Sequence, residues 1–180
     1  GNHMKINQME PWIGVEERQA MDEYLASGGW LTEFQKTAQF ADMIAEYVGS
    51  AHAIITVNGT VSLFMAIAAF DIGPGDEVIV PDYSMIATAN AVTLTGAVPV
   101  FVDVDPQTLC LDLDQAEAAI TDRTKVIMVV SINGRAPDMN RVHEIGEQYG
   151  ASVIEDAAQS LGARWHGQHL GTFGSIGSFS

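Results

Sequence analysis

Basic residues are scarce in this chain: eight Lys and Arg stand against 23 Asp and Glu, a formal charge of −15 over 180 residues. So acidic a chain repels phosphate backbones and anionic lipid headgroups, which argues against nucleic acid or a membrane as its partner. Cysteine is scarcer still. Cys110 alone can form neither an internal disulfide nor a cysteine-rich zinc site, as expected in a reducing cytoplasm, and within Leu109-Cys110-Leu111 it reads as inert core. No apolar run reaches the roughly 18 residues that span a bilayer, and no secretory signal follows the start. The Gly-x-Gly-x-x-Gly turn, the Walker loop and the Gly-x-Ser-x-Gly elbow are all missing, which argues against NAD, ATP and serine-hydrolase chemistry. The histidines offer no pair at ligand spacing on one helix, and His166 and His169 flank the hairpin tip Gly167-Gln168, so no metal is expected.

What is present is a core. Hydrophobic residues make up 47% and charged residues 17%, proportions of an ordinary globular domain. Gly1-Asn2-His3 before Met4 reads as an expression-tag remnant. Gly14 to Ser27 and Phe34 to Val48 have helical spacing and are expected to flank a sheet. From Ala51 strand and helix alternate: strands over His52–Val57, Glu77–Val80, Val98–Val102, Val126–Val130 and a run ending at Ile154, helices over Val61–Phe70, Met85–Thr95, Leu113–Ile120 and Met139–Tyr149. This order predicts one α/β domain, a mostly parallel sheet with helices on both faces. Gly177-Ser178-Phe179-Ser180 reads as a strand cut short, so a fragment incomplete at its C-terminal side is expected.

Three stretches could carry chemistry. Asp156 follows the buried strand Val153-Ile154, where an α/β sheet opens its ligand crevice, and no basic residue lies between Ala151 and Ala163. A buried carboxylate without a cation is costly, so a cationic ligand such as a protonated pyridine ring is one explanation and a turn-capping Asp is the other. Asn58-Gly59-Thr60, between strand and helix, could hold a phosphate on backbone N–H groups and the Thr60 hydroxyl, or merely cap the helix. Pro81-Asp82-Tyr83-Ser84-Met85 ends another strand at the same edge, and Tyr83 or Met85 could cover a flat ring or serve as rim packing.

Together these stretches resemble a known family. Asn58-Gly59-Thr60, Gly73-Pro74-Gly75-Asp76-Glu77-Val78-Ile79-Val80-Pro81, Gly96-Ala97-Val98-Pro99-Val100-Phe101-Val102-Asp103, Ile154-Glu155-Asp156-Ala157-Ala158-Gln159-Ser160 and Gly171-Thr172-Phe173-Gly174 are similar, in order, to the DegT/DnrJ/EryC1/StrS nucleotide-sugar aminotransferases. The resemblance implies the large domain of fold type I pyridoxal phosphate enzymes, of which residues 1–180 would be the N-terminal part. It implies that Gly59, Thr60 and Ser180 meet the cofactor phosphate, that Asp156 pairs with the pyridine nitrogen, and that Gln159 lies beside the phenolic oxygen. Met85 falls where relatives place a stacked aromatic ring, a weaker cover by a thioether. Ser131, Asn133 and Ser175 depart from the His, Tyr and Asp frequent at the corresponding places.

The Schiff-base lysine of the family is expected just beyond Ser180, since Lys5, Lys36 and Lys125 do not occupy its place. A lysine there implies transfer of an amino group from glutamate to a keto-deoxy sugar nucleotide by a ping-pong route through pyridoxamine phosphate. A histidine there implies a sugar-nucleotide 3-dehydratase, and any other residue a noncatalytic cofactor-binding relative. Trp30-Leu31-Thr32-Glu33 resembles a stretch of perosamine synthases, making Trp30, Thr32 and Glu33 substrate-binding candidates and a GDP-linked 4-keto-6-deoxyhexose the expected substrate. That substrate would serve surface polysaccharide or deoxyaminosugar biosynthesis. The resemblance also implies a homodimer with shared active sites.

Overall fold

Strand and helix alternate in the computed structural model, which describes residues 10–30 and 35–180. The elements run α1 (Val15–Ala26), α2 (Gln35–Val48), α3 (Gly59–Ala68), β1 (Glu77–Pro81), α4 (Ile86–Leu94), β2 (Val98–Val102), α5 (Leu113–Ala118), β3 (Thr124–Val130), α6 (Met139–Tyr149), β4 (Ser152–Asp156), β5 (Arg164–Trp165), β6 (Gln168–His169) and β7 (Ile176–Ser178). The chain divides into two compact units, residues 1–39 and residues 40–180, and the sheet belongs to the second. Its strand order is β2-β1-β3-β4-β7, and every neighbouring pair is parallel. The short β5 and β6 form the antiparallel hairpin around Gly167 that the sequence predicts.

Two-residue alternation explains the layering. Val78 and Val80 of β1, Val126 and Met128 of β3, and Ile154 of β4 face α3 and α4, where they meet Leu63, Ile67, Ala91 and Val92. The residues between them, Ile79, Ile127, Val129 and Val153, pack on the other side against Leu113 and Ala116 of α5 and Met139, Val142 and Ile145 of α6. Both faces are buried, so these strands read as unbroken apolar runs. Each flanking helix starts on a side-chain cap where one is available: Asn58 accepts from the Val61 N–H at 2.9 Å, Asp112 from Asp114 and Gln115, and Asp138 from Asn140 and Arg141. Gly150, at φ 68, stops α6 in the left-handed conformation.

Two expectations change. His52–Val57 forms no strand: the segment joins no ladder among the described residues, and Ile54 and Val57 are exposed. Its composition favours a strand, but a strand exists only where a neighbour offers hydrogen bonds, and propensity cannot supply one. Of the two N-terminal helices, α2 buries Val48 and α1 buries no residue, so the helical spacing of α1 forms a helix without a core face.

Glycines let the last strand come close. A Cβ on Gly174 would lie 2.6 Å from the Val153 carbonyl oxygen, and one on Gly177 of β7 would overlap the Gly171 carbonyl. Gly177→Ala is therefore expected to lower stability by about 1–3 kcal/mol through overpacking. Urea unfolding checks this, and an unchanged midpoint would contradict the seating of β7 against Gly171.

Candidate functional site

Because all five strands run the same way, their C-terminal ends share one edge, and the loops leaving that edge enclose a hollow of about 240 Å³. Asn58, Gly59 and Thr60 reach it from the start of α3, Ser84 and Met85 from the end of β1, Asp156 and Gln159 from the end of β4, and Ser180 from beyond β7. Thus six candidates separated by up to 121 residues, Gly59, Thr60, Met85, Asp156, Gln159 and Ser180, line one cavity. A larger hollow of about 330 Å³, lined by Thr121, Lys125 and Tyr149 among others, sits at the start of β3, the opposite edge from the one where parallel sheets bind ligands.

At one end of the hollow is a helix N-terminus. The first N–H groups of a helix lack intrahelical partners; the Asn58 carboxamide takes that of Val61, which leaves those of Gly59 and Thr60 to meet an anion. Gly59 is glycine for a steric reason. A Cβ there would lie 2.9 Å from the Ser180 Cβ and 3.0 Å from its Oγ. The Ser178 hydroxyl donates to the Ser62 hydroxyl at 2.9 Å, tying β7 to α3 and fixing this narrow gap.

At the other end is a buried acid. Asp156 is 5% exposed, and its carboxyl accepts from the Thr88 hydroxyl at 2.8 Å and from the Ala158 N–H at 3.3 Å. It makes no ion pair among the described residues. Burial pushes its pKa upward, and these two hydrogen bonds oppose the rise. Glu155, one residue earlier and so on the opposite face, is fully buried too and is also pushed upward by burial. Its carboxylate, however, accepts three backbone N–H groups, from Gly171, Phe173 and Gly174, at 2.5–2.7 Å. The chain satisfies Glu155 internally and leaves Asp156 without positive charge.

The other candidates fall into place unevenly. The Gln159 side-chain oxygen accepts from the Asn133 N–H at 3.0 Å, which leaves its amide NH2 as a donor. Met85, 65% exposed, stands at the rim of the hollow, whereas Tyr83 does not line it. Trp30 belongs to the first unit, is 81% exposed, and accepts the Tyr24 hydroxyl on its carbonyl at 3.2 Å. Thr32 and Glu33 lie outside the described residues. Sequence reasoning overlooked Thr88 and Ser84, although their i, i+4 spacing behind a strand end was visible. It also passed over Glu155, whose partners are backbone groups that no motif displays.

The profile of the DegT/DnrJ/EryC1/StrS aminotransferase family matches residues 11–180. The chain belongs to that family. Over 153 residues it is 46% identical to the GDP-perosamine synthase of Caulobacter vibrioides, covering 85% of this chain and 40% of that protein. Over 167 residues it is 42% identical to the L-glutamine:2-deoxy-scyllo-inosose aminotransferase of Streptomyces kanamyceticus, covering 89% and 39%. The sugar aminotransferase Spr1654 of Streptococcus pneumoniae, in its PLP form, superposes with a TM-score of 0.91 at 29% identity, over 98% of this chain and 49% of that one. This aminotransferase-family chain has the fold of the type I pyridoxal phosphate large domain, and it spans about two-fifths of the curated relatives it matches.

Burial of Asp156 has a pH consequence. The raised pKa means that the cofactor-free folded chain binds the Asp156 proton more tightly than the unfolded chain does. The stability tied to this group is therefore complete below about pH 4 and is lost as pH rises through the folded value. Asp156→Asn removes that part of the slope. Urea midpoints of the cofactor-free protein between about pH 4 and 7 are expected to fall more steeply for wild type than for the variant, and parallel profiles would mean that the carboxyl is not buried.

Proposed function

We propose that the protein to which this chain belongs is a pyridoxal phosphate-dependent aminotransferase that carries an amino group onto a ketone of a nucleotide-linked deoxy sugar. The observation that carries the proposal is a single cavity joining an anion-binding helix start to a buried, cation-free carboxyl. Pyridoxal phosphate has complementary ends: a dianionic phosphate and a ring nitrogen that is cationic when protonated. The cavity fits it.

In this reading the Gly59 and Thr60 N–H groups, the Thr60 hydroxyl and the Ser180 hydroxyl hold the phosphate, and the missing Cβ of Gly59 leaves room for it beside Ser180. Asp156 holds the proton on the ring nitrogen, because a carboxylate beside it favours the charged form. Gln159 donates its amide NH2 to the phenolic oxygen, and Met85 covers one ring face. When bound, the cofactor supplies an electron sink for carbanion chemistry at the amine carbon. Asp156 makes that sink effective by keeping the nitrogen protonated.

The substrate belongs to the proposal as well. Likeness to the Caulobacter GDP-perosamine synthase supports a GDP-linked 4-keto-6-deoxyhexose, with glutamate as donor and Trp30, Thr32 and Glu33 in contact with the sugar nucleotide. A second reading, a keto-cyclitol acceptor with glutamine as donor, is supported by likeness to the Streptomyces inosose aminotransferase. The exposed apolar side chains of Ile54, Val57, Ile86 and Leu94 support a homodimer that covers them. No described helix is long and apolar enough to cross a membrane.

The test uses the full-length protein loaded with pyridoxal phosphate, offered glutamate or glutamine with GDP-, UDP- and dTDP-linked keto sugars and with keto-cyclitols. Amine transfer to one acceptor is expected, and Asp156→Ala is expected to slow it roughly a hundredfold or more. Full activity in that variant, or no uptake of pyridoxal phosphate by wild type, would overturn the proposal.

A further inference from the structure

Thr88 lies in the first turn of α4, is 1% exposed, and directs its hydroxyl at Asp156 Oδ2 from 2.8 Å. Its oxygen also lies 2.7 Å from the hydroxyl of Ser84, four residues earlier and just before the helix. A threonine hydroxyl has a single proton. With that proton given to Asp156, the short contact to Ser84 is a bond in which Ser84 donates and Thr88 accepts. Ser84 itself lines the hollow, so a one-way chain of hydroxyls runs from the wall of the cavity, through the core, to the buried acid.

We propose that Thr88, oriented by Ser84, is a positioning residue that holds the Asp156 carboxylate in register for a cationic ligand ring. The inference rests on the aminotransferase reading but adds two residues to it. Thr88 stands in the first turn of α4, behind the N-cap Met85, so no helical turn precedes it to take its hydroxyl. Thr88 instead reaches across to another element, 68 residues away in sequence.

Charge elsewhere does not do this work. α3, α4 and β7 contain no charged residue, Glu155 faces the other side of the sheet, Lys125 sits at the far end of β3, and Glu77 at the far end of β1 pairs with Arg123. Among the described residues only the Thr88 hydroxyl and the longer Ala158 N–H bond oppose the effect of burial on the carboxyl. Removing the Thr88 donor takes from Asp156 Oδ2 its hydrogen bond, which favours the protonated acid and frees its torsion.

Thr88→Val keeps the branched shape and deletes the hydroxyl; Thr88→Ser keeps the hydroxyl. Affinity of the full-length protein for pyridoxal phosphate is titrated by absorbance across the acid-to-neutral range, with melting of the cofactor-free protein measured in parallel. Thr88→Val is expected to bind roughly tenfold more weakly and to lose binding at a higher pH than wild type as the solution is acidified, and Thr88→Ser is expected to restore both. In an Asp156→Asn background, Thr88→Val should add nothing. If Thr88→Val melts early, Ser84→Ala at the half-buried cavity wall is the variant to read, and its acid limb should move the same way. Wild-type affinity and an unmoved acid limb in these variants, or an equal loss in the Asp156→Asn background, overturn the positioning role while pyridoxal phosphate binding by wild type stands. Failure of wild type to bind pyridoxal phosphate overturns the aminotransferase reading and this inference with it.

Discussion

A carboxyl group taken out of water must find positive charge, find hydrogen-bond donors, or accept a proton. β4 ends in two such groups in succession, and strand alternation sends them to opposite faces, so the molecule solves the same problem twice under different surroundings. On one face Glu155 draws three backbone N–H groups from the loop over Gly171–Gly174 and is complete. On the other, Asp156 has one hydroxyl and one long N–H bond, and no cation among the described residues. In the proposed reading, a fold that saturates one acid so fully and leaves its neighbour short is built around a ligand that brings a positive charge. The rest of the site is the geometry that delivers that charge to this point.

Delivery depends on the sheet being parallel. Only when every strand points the same way do the turns after β1, β3, β4 and β7 open on one edge, so that residues far apart in the chain share a cavity. Glu155 contributes to this indirectly. By gripping Gly171, Phe173 and Gly174 it sets the loop that leads into β7, and the β7 end is what brings Ser180 against Gly59. One acid thus builds the wall and the adjacent acid faces the hollow.

Much of this was legible in the sequence, and the illegible parts have a common cause. Unbroken runs such as Val126–Val130 announce strands buried on both faces, and Asn58 and Asp156 announce themselves by type and by position after an apolar run. His52–Val57 misled because composition reports what a segment favours and not whether a partner strand lies beside it. Thr88 was hidden because a threonine inside an apolar helix reads as filler, and its meaning comes only from α4 packing beside the end of β4. The need for glycine at position 59 was likewise invisible, since the atom it avoids belongs to Ser180, 121 residues later. Contacts between distant residues, not residue types, were what the sequence withheld.

The division of the chain bears on why substrate identity is harder to read than cofactor chemistry. Every residue assigned to the cofactor lies between Gly59 and Ser180, inside the unit that contains the sheet, whereas the substrate candidates Trp30, Thr32 and Glu33 come from the other unit. The two curated relatives differ by name, one an aminotransferase of 2-deoxy-scyllo-inosose and the other a synthase of GDP-perosamine, yet both match most of this chain at similar identity. A region shared by enzymes with different acceptors must encode what they have in common. In the proposed reading the helix start at Gly59 and the acid at the sheet edge are common demands, set by an unchanging cofactor, and they draw on backbone geometry that tolerates little change. The acceptor pocket answers to a variable ligand, so its determinants are free to lie on segments outside the sheet. That separation lets one scaffold keep its electron sink while its choice of ketone changes.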